Sequence, residues 1–280
     1  MTFLQPKPAS IASGRDSSSM KNAHLMNLQC RVELRGTYKS GAQVARVLSE
    51  EWCGREVYCA ACRTERLVPS RVNAPAVDFV CPGCAESFQL KSFRAWNQRK
   101  IVDAAYDSMI RAIRSDRVPN LLVMQYSEDW LVENLLLIPH AFFVESVIEK
   151  RRPLSPTAKR AGWVGCNILL NRIPEDGKIA VVSNGLAAPR QQVRQEFSRI
   201  RKLSAIPAAV RGWTLDVLTA VRKLNKVGFS LAELYEFQPY LEHLHPQNKN
   251  VRAKIRQQLQ VLRDMGILAF MGPGDYKLRL

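Results

Sequence analysis

The chain has 280 residues, 46% of them hydrophobic, and its 41 Lys and Arg outnumber its 25 Asp and Glu by 16. That length allows one large domain or two smaller ones, and the cationic excess favours a polyanionic partner, because Lys and Arg replace condensed counterions on phosphates. No apolar run approaches the ~18 residues that span a membrane, and the start lacks the apolar core of a signal peptide. We therefore expect no membrane partner and a cytoplasmic location, where cysteines are metal ligands or buried thiols rather than disulfides.

The first part of the chain alternates predicted strands and helices. Residues 1–25 are rich in Ser, Ala, Lys and Pro without periodicity, which predicts a disordered extension. Apolar spacing predicts helices over residues 40–51 and 101–113. Strands are predicted at 76–80, 87–91, 120–126, 133–138 and 178–182. This alternation indicates an α/β domain over residues 26–203.

The last part of the chain, residues 204–280, has a different pattern. Helices are predicted at 213–224, after Ser230, and at 250–265, and the second of them carries the Ser230 and Glu233 of a capping box. An apolar run at 267–270, a Gly-Pro-Gly turn and a last short strand follow. Three helices and a hairpin predict a winged helix-turn-helix domain.

Four cysteines form two Cys-x-x-Cys pairs separated by eighteen residues. They are Cys59, Cys62, Cys81 and Cys84. This spacing is typical of a structural zinc site, in which four thiolates complete a tetrahedron and leave no position for water. Free thiols or a redox pair are the alternative readings. Cys30, Cys53 and Cys166 lack a matching partner and are expected to be buried.

Asp78 precedes the second cysteine pair, and Gln89-Leu-Lys91 follows it. An acidic residue followed by Glu/Asp-x-Lys is the Mg²⁺-binding pattern of a large nuclease superfamily. Residues i and i+2 of a strand share a face, so Gln89 and Lys91 would point into one site. The pattern alone is equally compatible with a polar hairpin edge.

Three carboxylates near the motif could add a further oxygen ligand. Glu50 and Glu51 lie on the first predicted helix, whereas Glu86 falls on the opposite strand face from Gln89 and is ranked below them.

From residue 26 to its end, the chain resembles the DpnI-type restriction endonucleases. The resemblance rests on residues 37–46 followed by 49–52, on residues 152–167, and on residues 254–264. It implies a PD-(D/E)XK nuclease domain with an embedded zinc site and a C-terminal winged helix, acting in a bacterial cytoplasm. It also implies that Asp78, Gln89 and Lys91 are catalytic, with Asp78 and Gln89 on Mg²⁺. The implied substrate is double-stranded DNA carrying N6-methyladenine in GATC, and no protein partner is evident.

Two features depart from the family pattern. The extension over residues 1–25 has no counterpart in it, and Met20 and Met26 are both plausible starts. Gln89 stands where the pattern has Glu, so a neutral amide replaces a charged ligand and metal affinity should fall. A second reading therefore stays open, in which the protein binds methylated DNA without efficient cleavage. A zinc-ribbon regulator unrelated to nucleases would leave Asp78, Gln89 and Lys91 without a role.

Two segments are candidates for contact with DNA. One segment contains Lys159 and Arg160, whose cations could contact phosphates, and Trp163, whose indole face could contact a methyl group. The alternative is that Trp163 belongs to the core. The last predicted helix carries a polar stripe that would enter the major groove, or would be a plain solvated face. The stripe consists of Arg252, Arg256, Gln260 and Arg263, and Lys254 and Gln257 lie near the N-terminal half of the helix.

Overall fold

The computed structural model describes residues 26–36, 38–70, 76–95 and 97–279. The predicted disordered extension, residues 1–25, lies outside these ranges. Within them, no helix has both the length and the apolar character that crossing a membrane requires.

Thirteen strands and seven α-helices are formed by the described residues. In chain order, the first half contains α1 (Gly41–Glu56), β1 (Val68–Pro69), β2 (Phe79–Val80), β3 (Ser87–Phe93), β4 (Ile101–Ala105), α2 (Tyr106–Arg114), β5 (Asn120–Tyr126) and β6 (Val132–Ile138). The second half contains β7 (Ile148–Lys150), β8 (Gly165–Ile168), β9 (Ile179–Ser183), β10 (Leu186–Ala187), α3 (Arg190–Ser204), α4 (Ala208–Lys223), β11 (Gly228–Ser230), α5 (Leu231–Tyr235), α6 (Gln238–Leu244), α7 (Val251–Asp264), β12 (Leu268–Gly272) and β13 (Asp275–Leu278).

A seven-stranded mixed sheet forms the centre of the first part of the chain, in the order β1-β2-β3-β5-β6-β9-β10. The β3–β5 pair is parallel and the other pairs are antiparallel. β5 is apolar along most of its length because it lies inside the sheet and is buried on both faces. α1 contacts β3, and α3 contacts β9.

A second sheet, β4-β8-β7, corrects one expectation from the sequence. A single helix was predicted over residues 101–113, but Ile101–Ala105 is a strand and only Tyr106–Arg114 is helical. Apolar residues at positions 101, 105, 109 and 113 fit helical spacing, and they concealed the strand alternation in which Ile101 and Asp103 are buried while Val102 is exposed.

The C-terminal part is a winged helix-turn-helix built from α4 to α7 and the sheet β11-β13-β12. The predicted capping box is present, because Ser230 and Glu233 exchange side-chain and backbone hydrogen bonds. The second predicted helix is interrupted between Tyr235 and Gln238, which divides it into α5 and α6. The mixed α/β fold followed by a winged helix confirms the fold class expected from the sequence.

Ion pairs join the winged helix to the rest of the protein. The guanidinium of Arg211 on α4 bonds to Asp116, which follows α2, and Arg222 bonds to Asp176. Asp216 accepts a hydrogen bond from the Ser146 hydroxyl. These contacts fix how α4 packs against the first part of the chain.

Candidate active site and metal centre

The sulfur atoms of Cys59, Cys62, Cys81 and Cys84 all lie within 4.8 Å of one another. The Cys59–Cys84 separation is 3.6 Å and the Cys62–Cys81 separation is 3.5 Å. A tetrahedral zinc ion with Zn–S bonds of about 2.3 Å requires sulfur atoms roughly 3.8 Å apart. The four cysteines therefore fit a structural zinc site.

Hydrogen bonds favour the ionised form of one sulfur of the cluster, that of Cys81. Burial raises the pKa of the Cys81 thiol, but hydrogen bonds from Thr64 and from the backbone amides of Cys84 and Gly83 outweigh it and lower the pKa to about 6. Burial raises the pKa of Cys84 to about 11. A bound cation is what allows all the thiols of the cluster to ionise together.

A close approach within the cluster leaves little room for a side chain at position 83. A Cβ at Gly83 would lie 2.2 Å from the Thr64 hydroxyl oxygen, so the Thr64 side chain would have to move. Glycine at this position lets the Thr64 hydroxyl stay 3.2 Å from the Cys62 sulfur.

Helix α3 holds the first cysteine turn from outside. Arg194 donates hydrogen bonds to the carbonyl oxygens of Cys59, at 3.2 Å, and Thr64, at 3.4 Å. The guanidinium groups of Arg190 and Arg194 lie over the ring of Tyr58, 4.9 and 5.2 Å from its centroid. The cysteine cluster is thus tied to the helix that leads into α4.

Asp78, Gln89 and Lys91 line one open cavity of about 590 Å³. β2 pairs with β3 through Phe79 opposite Phe88, and the backbone amide of Asp78, just before β2, donates to the carbonyl oxygen of Phe88 at 2.9 Å. The Asp78 carboxylate accepts a hydrogen bond from the backbone amide of Leu90 at 2.7 Å. This bond fixes the carboxylate at the edge of β3, beside the two motif residues.

A buried carboxylate that the sequence reading missed contacts both motif residues on β3. Asp103 Oδ1 lies 2.6 Å from the Lys91 ammonium nitrogen and accepts a hydrogen bond from Gln89 Nε2 at 3.3 Å. The Asp103 side chain is 0% exposed, and its other oxygen, Oδ2, is buried without a hydrogen-bond partner among the described residues. The alternation of Ile101 and Asp103 within β4 was the signal that could have revealed it.

The three additional carboxylates considered from the sequence lie in different places. Glu50 on α1 lines the same cavity as Asp78 and is hydrogen-bonded by Arg46 at 2.7 Å. Glu51 instead pairs with Arg31 and Arg55. Glu86 accepts from the Asn120 amide and lines a separate cavity near His140. Of the three, Glu50 alone joins the cavity of the motif.

Trp163 lies in the loop between β7 and β8, with Lys159 and Arg160 exposed nearby. The Arg160 guanidinium lies 4.8 Å from the centroid of the half-buried indole. The ring also covers Gly165, where a Cβ would approach it to 2.8 Å. The Trp163 ring is thus held between a cation and a glycine at the start of β8.

Arg256 and Gln257 on α7 are exposed and Lys254 is half-buried, away from the buried apolar stripe of Val251, Ile255, Leu259 and Leu262. Arg256 donates to the Tyr235 hydroxyl at 2.7 Å, and Lys254 donates to the Gln257 side chain at 2.8 Å. Gln260 is exposed. Gln258, which the sequence reading passed over, is fully buried and accepts from the Thr214 hydroxyl at 2.7 Å.

Two protein-family models match the chain. The model of the DpnI, or Dam-replacing, family covers residues 26–206, and that of the Dam-replacing HTH domain covers residues 209–278. The first match contains the cysteine cluster and the Asp78 cavity, and the second contains the winged helix. The resemblance seen in the sequence is confirmed: the chain belongs to the DpnI family, a family of nucleases.

Proposed function

We propose that this protein is a type II methyl-directed restriction endonuclease, which cleaves double-stranded DNA at GATC sites carrying N6-methyladenine. Family membership supports the nuclease activity and the methyl dependence. The observation that carries the proposal is the meeting of Asp78, Gln89 and Lys91 in one cavity, together with Glu50 from α1. Residues 26–203 would form the nuclease domain and residues 204–280 the DNA-binding domain.

The oxygen atoms of this cavity suit a hard divalent cation. Asp78 Oδ2 accepts a hydrogen bond from the Leu90 backbone amide. Within the described residues, the side-chain oxygen of Gln89 accepts no hydrogen bond, because Gln89 pairs with Asp103 through its nitrogen. Carboxylate and amide oxygens are the ligands that Mg²⁺ prefers, so Asp78 and Gln89 would hold it, with Glu50 nearby. When bound, Mg²⁺ would supply Lewis-acid polarisation of the scissile phosphate and a more acidic water.

The remaining groups of the cavity have roles that follow from their charge. The Leu90 amide holds the Asp78 carboxylate in one orientation, so that this ligand needs little rearrangement. The Lys91 ammonium is positively charged and partly exposed to the cavity, so it can orient a water molecule and stabilise the charge that develops on phosphorus. The four cysteines would keep the hairpin carrying Asp78 and Gln89 folded around a structural zinc ion.

Two surfaces would recognise the DNA. In the β7–β8 loop, Lys159 and Arg160 would contact phosphates while Trp163 meets the adenine methyl group in the major groove. In the winged helix, α7 would enter the major groove. Its contacts would be Lys254, Arg256, Gln257 and Gln260.

One observation favours a second candidate, a methylated-DNA-binding protein with impaired cleavage. Gln89 brings no charge to a position where the family pattern has a carboxylate, and its amide nitrogen is engaged by Asp103. Such a protein would bind the same DNA with the same surfaces but would turn over slowly or not at all.

A digest of one plasmid, prepared with and without adenine methylation at GATC, tests the proposal. We expect fragmentation of the methylated plasmid only, in Mg²⁺ or Mn²⁺, and its loss in Asp78→Ala. If neither plasmid is cut in either metal while gel shifts still favour methylated DNA, the second candidate is correct. Equal cutting of both plasmids would leave a nuclease without methyl dependence.

A further inference from the structure

We propose that Asp103 is a positioning residue of the metal site and supplies the negative charge that Gln89 lacks. It would hold the Lys91 ammonium in place and turn the Gln89 amide so that its oxygen is left for the metal ion. This inference rests on the proposed function, since it concerns how the same cavity binds Mg²⁺.

The first argument is the direction of the Gln89 side chain. An amide carries a donor on one side and an acceptor on the other, so the atom that faces a carboxylate must be the nitrogen. Gln89 Nε2 donates to Asp103 Oδ1, which directs Oε1 away from Asp103. Without this bond the metal ion itself would have to orient the amide, whereas the pairing with Asp103 keeps the oxygen available beforehand.

The second argument is the charge balance. Asp103 accepts from Lys91 as well as from Gln89, so one buried carboxylate serves both motif residues of β3. With a neutral residue at position 89, the ammonium of Lys91 would otherwise repel a divalent cation bound beside it. The Asp103 carboxylate offsets the charge of Lys91 and restores the negative charge that the usual Glu would provide.

The third argument is that the surroundings of the Asp103 carboxylate do not favour folding stability. Its side chain is fully buried and Oδ2 has no hydrogen-bond partner within the part of the chain that the structure describes. A buried carboxylate with an unsatisfied oxygen costs desolvation free energy that a single ammonium does not fully offset. A group that costs stability in this way is typical of a functional site, where it is kept for activity rather than for folding.

The strand that carries Asp103 gives it a fixed position. β4 pairs with β8 through Asp103 opposite Cys166, and Ile101 beside it is buried in the core. The Asp103 side chain therefore points inward from a second sheet onto β3. A carboxylate on a paired strand orients its partners better than one on a loop.

The test measures Mn²⁺ binding to the intact protein without DNA, by the loss of the free-ion electron paramagnetic resonance signal. We expect Asp103→Asn to weaken Mn²⁺ binding by about 10- to 100-fold, the range seen when a partner of a metal ligand is removed. Asp103→Glu keeps the charge and should recover most of the affinity. Asp107→Asn is the matched control, because Asp107 is exposed on α2 and loses the same charge outside the cavity.

Thermal unfolding of the metal-free proteins separates positioning from a structural role. Because the Asp103 carboxylate is poorly satisfied, we expect the melting temperature of Asp103→Asn within about 3 °C of wild type. Equal Mn²⁺ affinity in Asp103→Asn and wild type would overturn the inference and leave the proposed function intact. A large fall in melting temperature with unchanged affinity would assign Asp103 to the fold. Absence of Mn²⁺ binding in wild type would count against the proposed metal site itself.

Discussion

The Arg211 guanidinium is 1% exposed and lies 2.5 Å from the Asp116 carboxylate, across the junction between the two matched family regions. Arg211 also donates to the carbonyl oxygen of Ile206 at 3.1 Å, while its Nε is buried without a partner among the described residues. The charge of Arg211 is therefore balanced mainly by a residue from the other side of the junction.

We expect Asp116→Asn to lower the free energy of unfolding, because it leaves a buried guanidinium without its counter-charge. Asn tolerates the left-handed backbone at this position, where φ is 52°, so the change tests charge alone. The loss should be about 2 kcal/mol, below the value for fully buried pairs since the Asp116 carboxylate is 41% exposed. Chemical denaturation measures it, with Asp129→Asn as an exposed control. Equal losses in both variants would contradict the prediction.

The same pair predicts a pH dependence of stability. The hydrogen bond from Arg211 lowers the pKa of Asp116 below its ordinary value. The folded state therefore favours the ionised carboxylate, and the stabilisation is complete above the unfolded pKa and lost as pH falls through the lower folded pKa. The difference in unfolding free energy between wild type and Asp116→Asn should shrink as pH is lowered from about 4. A difference that stays constant down to pH 2 would exclude this linkage.

The cysteine cluster predicts a zinc dependence that separates cluster cysteines from the others. We expect Cys62→Ala to purify without zinc, whereas Cys30→Ala, at a buried thiol outside the cluster, keeps about one zinc per chain. Zinc loss should lower the unfolding free energy by several kcal/mol, because site formation and folding are coupled. Elemental analysis with thermal unfolding measures both. Equal zinc content in the two variants would refute the four-cysteine site.

Two residues of α7 should differ in how their loss affects DNA binding. Gln260→Ala should reduce preference for the specific site by about 1–3 kcal/mol if it contacts a base edge. Arg256→Ala, if it contacts a phosphate, should weaken binding to all sequences and reduce the salt slope by about 1. Fluorescence anisotropy across a salt series distinguishes these outcomes. Arg199→Ala is the control, because Arg199 is exposed on α3. If Arg199→Ala weakens DNA binding as much as Arg256→Ala does, α7 has no special role in binding.

Trp163 should carry discrimination between methylated and unmethylated DNA. We expect Trp163→Ala to reduce the ratio of the two affinities by about fourfold or more, since burying one methyl group contributes roughly 0.8 kcal/mol. Gly165→Ala should act in the same direction, because the new methyl group would displace the indole from its present place. Competition binding with paired duplexes measures the ratio. An unchanged ratio in both variants would assign Trp163 to packing.

Local patterns were sufficient for much of this structure. The strand predicted over residues 120–126 matches β5 at both ends, because a continuous apolar run between Pro119 and a polar turn has few other solutions. The capping box at Ser230 and Glu233 identified the start of α5. The spacing of the cysteines predicted a cluster that the fold brings together.

Other parts were not predicted, either because a local pattern was overlooked or because the element depends on contacts between distant segments. α3 follows a helical spacing of Val193, Phe197 and Ile200, but no helix was assigned there from its strongly charged sequence. The strands β4, β7 and β8 are short, and they become strands only by pairing with one another. Asp103 was missed because the helical spacing of residues 101–113 concealed the strand alternation around it, and its contact with Lys91 forms only once two sheets meet.

The bonds from Arg194 to Cys59 and Thr64 have a consequence for genetics. α3 begins beside the cysteine turn and ends a few residues before α4, so we expect damage to the turn to disturb how the winged helix is held. A screen for variants that no longer hold DNA would then return cysteines and arginines that touch no nucleotide. Such variants would report on the attachment of the winged helix to the rest of the protein. They should be separated from variants of DNA-contacting residues before sequence recognition is inferred from the screen.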